Sequence, residues 1–294
     1  MNKRQNNILS LSFKSFEKVH LLYESRQYQC FIIPGIKLGN ILLEIGEIRE
    51  TVLRKALNGS GKEKDLDGID EFYYHALIWN KEDNNIVGGY RFRSNKSWDS
   101  KTIEQQSYIE KCYPGIYTQL SQRHRFIELG RAFVNENYQN TVFSLFLLWR
   151  GILMYLSQHF KEYPMIVGIP WIKLDNFKKE SAAFLMQVLS NNYFYNPLKQ
   201  IKPRFPYKQN YHLTPELQSL AQEQRDMTST FNIIGAVEGK KRRPPSLLKP
   251  YINLMGAKTH GFSVAHDFNN LLEVLMSTDL STIPAKRIER YVYR

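Results

Sequence analysis

Cysteine is scarce in this chain: Cys30 and Cys112 are the only two among 294 residues. They stand far apart with no metal-type spacing, which argues against a disulfide framework and for a reducing compartment. Long apolar runs are lacking too. The longest, VFSLFLLW at 142–149, extends through Arg150 to about Tyr155 and stops well short of the ~20 residues a membrane span requires. The opening MNKRQNNILSLSFKSFEK is basic, but serines and Lys14 interrupt its apolar run and make a poor signal peptide. A cytoplasmic chain is expected, touching membranes only at their inner surface. No G-x-S-x-G elbow, H-E-x-x-H helix or G-x-G-x-x-G fingerprint occurs, which points away from serine-nucleophile, zinc and redox chemistry. Acidic residues are in deficit, 28 against 40 Lys and Arg, for a net charge of +12. Such a surface attracts nucleic acid, anionic lipid headgroups or an acidic carrier protein, and charge alone does not choose among them.

What is present describes a globular chain: 43% of residues are hydrophobic and 13% aromatic, with no repeat or low-complexity segment. After a basic lead over 1–27, YQCFII (28–33) reads as a strand and LGNILLEIGEIRETVLRKAL (38–57) as an amphipathic helix. EFYYHALIW (71–79) and IVGGYRFR (86–93) flank a polar turn and read as a hairpin. IEQQSYIEKCY (103–113) reads as a helix, FIELGRAFV (126–134) as a strand and TVFSLFLLWRGILMYLSQHF (141–160) as a helix. MIVGIPWI (165–172) is a further strand and NFKKESAAFLMQVLSNNYF (176–194) a further helix. PLKQIKPRFPYK (197–208) is a proline-punctuated connection, Pro244-Pro245 opens another helix, and 262–280 ends in a strand. The expectation is an α/β (α+β) fold with a mixed, mostly antiparallel sheet, a central β-α-β unit and flanking helices. The core is placed at 28–208, and 209–294 is read as a C-terminal extension of the same domain.

Three stretches carry candidate chemistry. In FIELGRAFV, Glu128 and Arg131 sit inside an apolar strand, where an unpartnered charge is costly. Positions three apart face opposite sides of a regular strand, but a bulge at Gly130 would bring both to one cleft and free a backbone N–H near Gly130 to Ala132. A structural ion pair at a strand edge is the competing reading. GSGKE (59–63) imitates a phosphate loop, but Ala56 and Glu63 occupy its required Gly and Ser/Thr positions, so a surface turn is expected. Asp65, Asp67, Asp70 and Glu71 crowd the hairpin entrance with His75 behind them. They suit an amine better than a metal, for which no supporting His/Cys cluster exists. Helix 141–160 is apolar nearly all round, either plain core or the wall of an acyl channel.

Taken in order, GKEKDLDGIDEFYYHALIW, IVGGYRF, ELGRAFV-x-x-x-Y and LLWRGI resemble the GNAT-type acyltransferases that carry a hemolysin label, among them the ornithine-lipid N-acyltransferases. The tail PPSLLKPYINLMGAKTHGFSVAHDFNNLLEVL resembles that family's ending, and the Glu-x-x-Arg of 128 and 131 resembles a pair in acyl-homoserine lactone synthases. The resemblance implies transfer of a long, sometimes 3-hydroxylated acyl chain from acyl carrier protein to an amino-acid amine, giving an aminolipid. It implies Glu128 and Arg131 as catalytic residues, with Asp70, His75, Arg91, Gly130 and Ala132 at the substrate. Glu128 would take the amine proton, Arg131 would orient it or bind the acceptor carboxylate, and backbone N–H near Gly130 to Ala132 would hold the oxyanion. Phe143, Phe146, Leu147 and Trp149 would line the acyl channel.

The chain departs from the general GNAT pattern at NENYQNTVFSL (135–145), which has no glycine where coenzyme A users cradle pyrophosphate. A carrier-protein phosphopantetheine thioester is therefore the expected donor, with no bound cofactor and no metal. MIVGIPWIKLD and Glu273 also depart from the family and leave the acceptor open among ornithine, glycine and lysine. Carrier protein, amino acid and an anionic membrane surface are the expected partners, with Arg204, Lys208 and Lys240 to Arg243 as the contacting face. An acetyl-CoA-dependent small-molecule N-acetyltransferase is the alternative within the class. A basic nucleic-acid-binding protein is the alternative outside it, but no nucleic-acid motif is present and nucleic acid is not expected as a partner.

Overall fold

The computed structural model describes residues 3–292 apart from 58, 97–98, 140–141, 160–161, 193–200, 225 and 246. The expected helix ends at 141, 160 and 193–194, and the start of the connection at 197–200, lie outside the described residues. In chain order, α1 (Lys3–His20) leads to β1 (Leu21–Ser25), β2 (Tyr28–Pro34) and α2 (Asn40–Leu57). The hairpin β3 (Tyr74–Asn80) and β4 (Asn85–Ser94) precedes three short helices, α3 (Ile103–Gln106), α4 (Tyr108–Cys112) and α5 (Ile116–Ser121). Next come β5 (Phe126–Val134), α6 (Val142–His159), β6 (Met165–Gly168) and β7 (Trp171–Ile172). α7 (Lys179–Asn192), α8 (Pro215–Glu223), α9 (Met227–Glu238), β8 (Lys258–Ala265), β9 (Leu271–Asp279) and α10 (Ala285–Val292) complete the chain. The fold is mixed α/β with a mostly antiparallel sheet, and β5, α6 and β6 follow one another as expected.

Two compact units are interleaved along the sequence. The first is Met1–Tyr108, Ile127–Tyr163 and Pro284–Arg294; the second is Ile109–Phe126 and Pro164–Ile283. In the first, β1 to β5 form an antiparallel sheet in sequence order. α1 and α2 cover one face, where Leu9 and Phe13 join Phe31, Ile33, Ile41, Ile45, Leu77 and Trp79 in the core. Phe13 stacks on Trp79 with centroids 4.2 Å apart. α6 covers the other face: the Tyr23 hydroxyl donates to Leu147 O at 2.9 Å, and a Cβ on Gly151 would stand 2.7 Å from Cys30 Sγ. Thus 1–27, read as a basic lead, carries a helix and a strand. Leu9, Phe13 and Phe16 supply the i, i+4, i+7 stripe that buries α1, although serines and Lys14 interrupt the run between them.

In the second unit β9 is central, with β8 on one side and β6 and β7 on the other, all antiparallel. The single strand expected over 165–172 is broken around Pro170, which has no N–H to give a ladder. β8 and β9 form a hairpin that the sequence reading missed. Its turn places Asn269 and Asn270 at φ 52° and 57°, the left-handed conformation that Asn tolerates best after Gly. The helix expected from Pro244 reduces to one π-type turn, Pro250–Leu254. No helix among the described residues is long and apolar enough to cross a membrane.

Candidate active site

The bulge expected in β5 exists and falls one residue further on. Gly130 pairs with Arg91 and Phe133 with Gly89, so Arg131 and Ala132 together face the single residue Tyr90 of β4. Arg131 takes φ +49°, unusual for a residue with a Cβ, and neither Arg131 nor Ala132 has a register partner on β4. Just past the bulge, β4 must be thin: a Cβ on Gly88 would sit 2.5 Å from Phe133 O, and one on Gly89 2.9 Å from Ala76 O. Upstream of the bulge β5 is buried, and over 130–132 it is half open.

Glu128 is 1% exposed and held from three sides. The Tyr73 hydroxyl donates to Oε1 at 2.6 Å, Ser107 Oγ donates to Oε2 at 2.7 Å, and Tyr108 N donates to Oε1 at 3.1 Å. Three donors converging on its two oxygens suit a carboxylate. The sequence predicted one helix over 103–113; it is split into α3 and α4 at Ser107, whose backbone is extended at φ −130° and ψ 131°. That break delivers the Ser107 hydroxyl and the Tyr108 N–H to Glu128. Burial, and then the Glu128 carboxylate, hold the Tyr73 phenol well above its ordinary pKa, so it stays a donor.

Beside this group lies a closed ring of three guanidinium and three carboxylate groups, alternating in sign. Arg49 meets Asp65 at 3.0 Å and Asp70 at 2.7 Å. Arg91 meets Asp70 at 2.9 Å and Asp67 at 2.6 Å. Arg131 closes the ring, at 3.2 Å from Asp67 and 3.5 Å from Asp65. Asp67 is the most open member, its side chain 18% exposed against 5% or less for the others. The Arg91 guanidinium lies over the Tyr73 ring at 4.6 Å, and that of Arg131 over the Tyr108 ring at 5.2 Å, which couples the ring to the Glu128 group. Burial by itself would raise the pKa of Asp70; Arg91 and Arg49 overcome it and hold the carboxyl far below its usual range. For Asp67, burial is likewise outweighed, by Arg91 and Arg131. The same aspartates push the buried Arg49 and Arg91 further toward the charged form, against burial.

His75 faces Arg91 across the β3–β4 ladder, and its Nε2 lies 3.0 Å from Asp70 O. A carbonyl only accepts, so Nε2 carries a proton. Burial lowers its pKa to about 4, with Arg49 and Arg91 adding to the shift and Asp70 opposing it. A histidine depressed in the folded state takes up its proton more readily when unfolded. His75 therefore costs stability as pH falls from ~6.5, its unfolded value, toward the folded pKa, by on the order of 3 kcal/mol. A His75→Gln variant, which keeps a donor for Asp70 O, is expected to lose most of that slope in urea melts between these two pH values. An unchanged slope would show that His75 does not titrate in this window.

Most predicted residues therefore meet in the first unit, with Arg49, Tyr73, Ser107 and Tyr108 added. Arg49 was hidden in an ordinary amphipathic helix. Tyr73 was legible only as the inward member of an alternating strand entry. The acyl-channel set divides: Leu147 and Trp149 are 0% and 2% exposed, whereas Phe143 is 42% exposed and packs on Tyr28 and Phe146. The GSGK turn is filled from within. Glu50 accepts from Ser60 N at 3.2 Å and Ser60 Oγ at 2.5 Å, so the N–H that a phosphate loop would offer is spent on a carboxylate. In the second unit Arg204, Lys208, Lys240, Lys241 and Arg243 are exposed, but Arg242 is taken up by Glu238 and the Phe177 ring.

Residues 48–150 match the family model described as acetyltransferase (GNAT) domain. The matched stretch runs from the middle of α2 to the middle of α6. Two curated relatives are named glycine N(alpha)-acyltransferase. That of Bacteroides thetaiotaomicron is 31% identical over 145 residues, 42% of this chain and 40% of the relative. That of Phocaeicola vulgatus is 31% identical over 147 residues, 42% of this chain and 41% of the relative. The matched stretch thus spans about two fifths of either relative's length. Among solved structures, the CoA-dependent acyl-homoserine lactone synthase BjaI aligns with a TM-score of 0.44 at 9% identity, over 88% of this chain and 85% of that one. A second such synthase, MesI, aligns with a TM-score of 0.39 at 10% identity, over 87% and 90%.

Proposed function

We propose that this chain is an N-acyltransferase that moves a fatty acyl group from a thioester to the α-amine of a small amino acid, with glycine the first acceptor to test. The observation that carries the reading is the bulged, half-open turn of β5 at Gly130 to Ala132 with the hydrogen-bonded Glu128 just upstream, inside the GNAT-type stretch. A thioester is reactive enough to need no protein nucleophile. The amine nitrogen attacks the carbonyl, the C–S bond breaks, and the thiolate leaves and is protonated. The amine must first lose a proton, and an α-amino group titrates near ~8, so a carboxylate base suffices. Both Glu128 oxygens already accept hydroxyl protons, so the amine proton reaches Glu128 by relay: Ser107 or Tyr73 gives its proton to the carboxylate as it receives one. Asp67, the open member of the ring, and Arg131 beside it bind the acceptor ammonium and carboxylate.

A carrier-protein donor is supported by the turn after β5. Asn137 N donates to Asn135 Oδ1 at 3.3 Å, Tyr138 N to Asn135 O at 2.8 Å and Gln139 N to Glu136 O at 3.3 Å. Those N–H groups are spent within the turn, where coenzyme A users offer theirs to pyrophosphate. The product would be a single-chain aminolipid. Supplying glycine, ornithine or lysine with long-chain acyl carrier protein, long-chain acyl-CoA or acetyl-CoA, and identifying products by mass spectrometry, tests the reading. Formation of an N-acyl amino acid, fastest from the carrier-protein thioester, is expected. Faster turnover of acetyl-CoA would assign the chain to small-molecule acetylation instead, and no amide from any pair would overturn the proposal.

A further inference from the structure

Six of the eight large apolar side chains that face solvent among the described residues of the first unit gather at one place; Leu11 on α1 and Phe143 on α6 stand apart. Val19, Leu21, Ile36, Leu43, Phe72 and Tyr74 are 73, 36, 75, 44, 50 and 44% exposed. Topology brings them to one end of the sheet. β1 starts at Leu21, two residues after Val19, and Pro34 at the end of β2 pairs with Tyr74 at the start of β3. Ile36 sits in the short 3₁₀ turn Gly35–Lys37 and Phe72 in the turn Asp70–Phe72. The two turns touch: Gly35 N donates to Tyr73 O at 2.7 Å, and a Cβ on Gly35 would stand 2.2 Å from Asp70 O. Leu43 lies in the first turn of α2, just beyond.

The far end of the sheet is more polar, although the exposed Phe143 packs on Tyr28 there. Its turns carry Arg26 and Gln27 between β1 and β2, and Lys81 to Asn84 between β3 and β4. An apolar rim of this extent marks a surface that meets something other than water. Its side chains stand on turns and strand ends, aliphatic beside aromatic, with the exposed cations Lys18 and Lys37 among them and Glu71 as the exposed acid of the two turns. Aromatic and aliphatic groups flanked by lysines, on a chain of net charge +12, fit the headgroup region of an anionic bilayer. We infer that this end of the first unit docks on such a bilayer, seating Val19, Ile36 and Phe72 at the boundary of headgroups and acyl chains. The strand alternation at its centre links rim and site: Tyr73 turns inward to Glu128 at 1% exposure, while Phe72 and Tyr74 turn outward. Docking itself does not depend on the acyl-transfer reading, and it is measured without turnover.

Sedimentation of the full chain with phosphatidylcholine vesicles, with and without phosphatidylglycerol, tests this. Binding to the anionic vesicles is expected to exceed binding to the neutral ones by about tenfold, and to weaken with salt. The pair Ile36→Asp and Phe72→Asp should cut it by about tenfold or more with an unchanged thermal midpoint, because both side chains face solvent. Lys18→Glu with Lys37→Glu should remove most of the preference for anionic lipid. In a Cys112→Ser background, an environment-sensitive fluorophore at Ile36→Cys should shift to the blue on adding vesicles, while one at Glu82→Cys at the far end should not. Absence of vesicle binding, equal binding by the Asp pair, or a shift at both positions overturns the inference. So does a dimer that the Asp pair dissociates, since a second copy would then cover the rim.

Discussion

Glu128→Gln is expected to lower the rate of acyl transfer by about 100-fold or more while the chain stays folded. Glutamine keeps the shape and one acceptor oxygen, but its amide cannot take a proton, so a relay through Ser107 or Tyr73 has no terminus. Glu128→Ala is the poorer test. It would take from the Tyr73 hydroxyl and Ser107 Oγ the acceptor they use in a buried site, at about 1–3 kcal/mol for each group left unsatisfied, while Tyr108 N keeps the Tyr73 oxygen at 3.0 Å. A purely structural role for Glu128 makes a different forecast. The Gln variant would then lose activity equally at every pH, whereas a missing base is partly replaced as the acceptor amine deprotonates above its pKa of ~8. The deficit should therefore shrink between neutral and mildly alkaline pH. Activity within about threefold of the unmodified chain at neutral pH would remove Glu128 from the mechanism. Arg131→Ala should act mainly through KM for the amino acid, because Arg131 would bind its carboxylate.

How far the sequence foretold this arrangement depends on the range of the interaction. The hairpin β3–β4, the strand β5 and the helix α6 were legible because each rests on a local period and a local turn. The bulge was legible from one glycine, although the left-handed residue proved to be Arg131, with Gly130 still paired to Arg91. The break between α3 and α4 was not, since nothing near Ser107 demands it. The demand comes from Glu128, 21 residues on. The ring was half legible. Three aspartates before a strand suggested a cation, but their partners come from α2, β4 and β5, and periodicity cannot show that three arginines on separate elements converge. β8 was missed because FSVAHDFNN offers no clean alternation and its turn uses two asparagines in place of Asn-Gly.

The ring of charges should dominate the stability of the first unit. Removing one guanidinium by Arg91→Ala leaves Asp67 and Asp70 facing each other with no cation between them, in a site where Arg91 itself is 2% exposed. Breaking a buried ion pair on one side costs about 3–5 kcal/mol, most of it the penalty of the charge left behind. Asp70→Asn should cost a similar amount. Asp67→Asn should cost less, because water reaches that side chain. Urea midpoints at neutral pH measure all three, with an unchanged m-value as the check that the same transition is compared. The control is Lys55→Ala, which breaks the exposed Lys55–Glu136 pair, 3.3 Å apart with side chains 70% and 42% exposed; its effect should be negligible. Acid supplies an independent test of sign. Asp67 and Asp70 are depressed in the folded state, so their contribution is present above the unfolded carboxyl value of ~3.9 and is lost as pH falls from there toward the folded values. That loss begins where the His75 slope ends, and Arg91→Ala should flatten it, because without Arg91 the two carboxyls titrate closer to their unfolded value. If Arg91→Ala moves the midpoint no further than Lys55→Ala, the alternating charges do not hold this unit together, and Arg131 is not positioned by them.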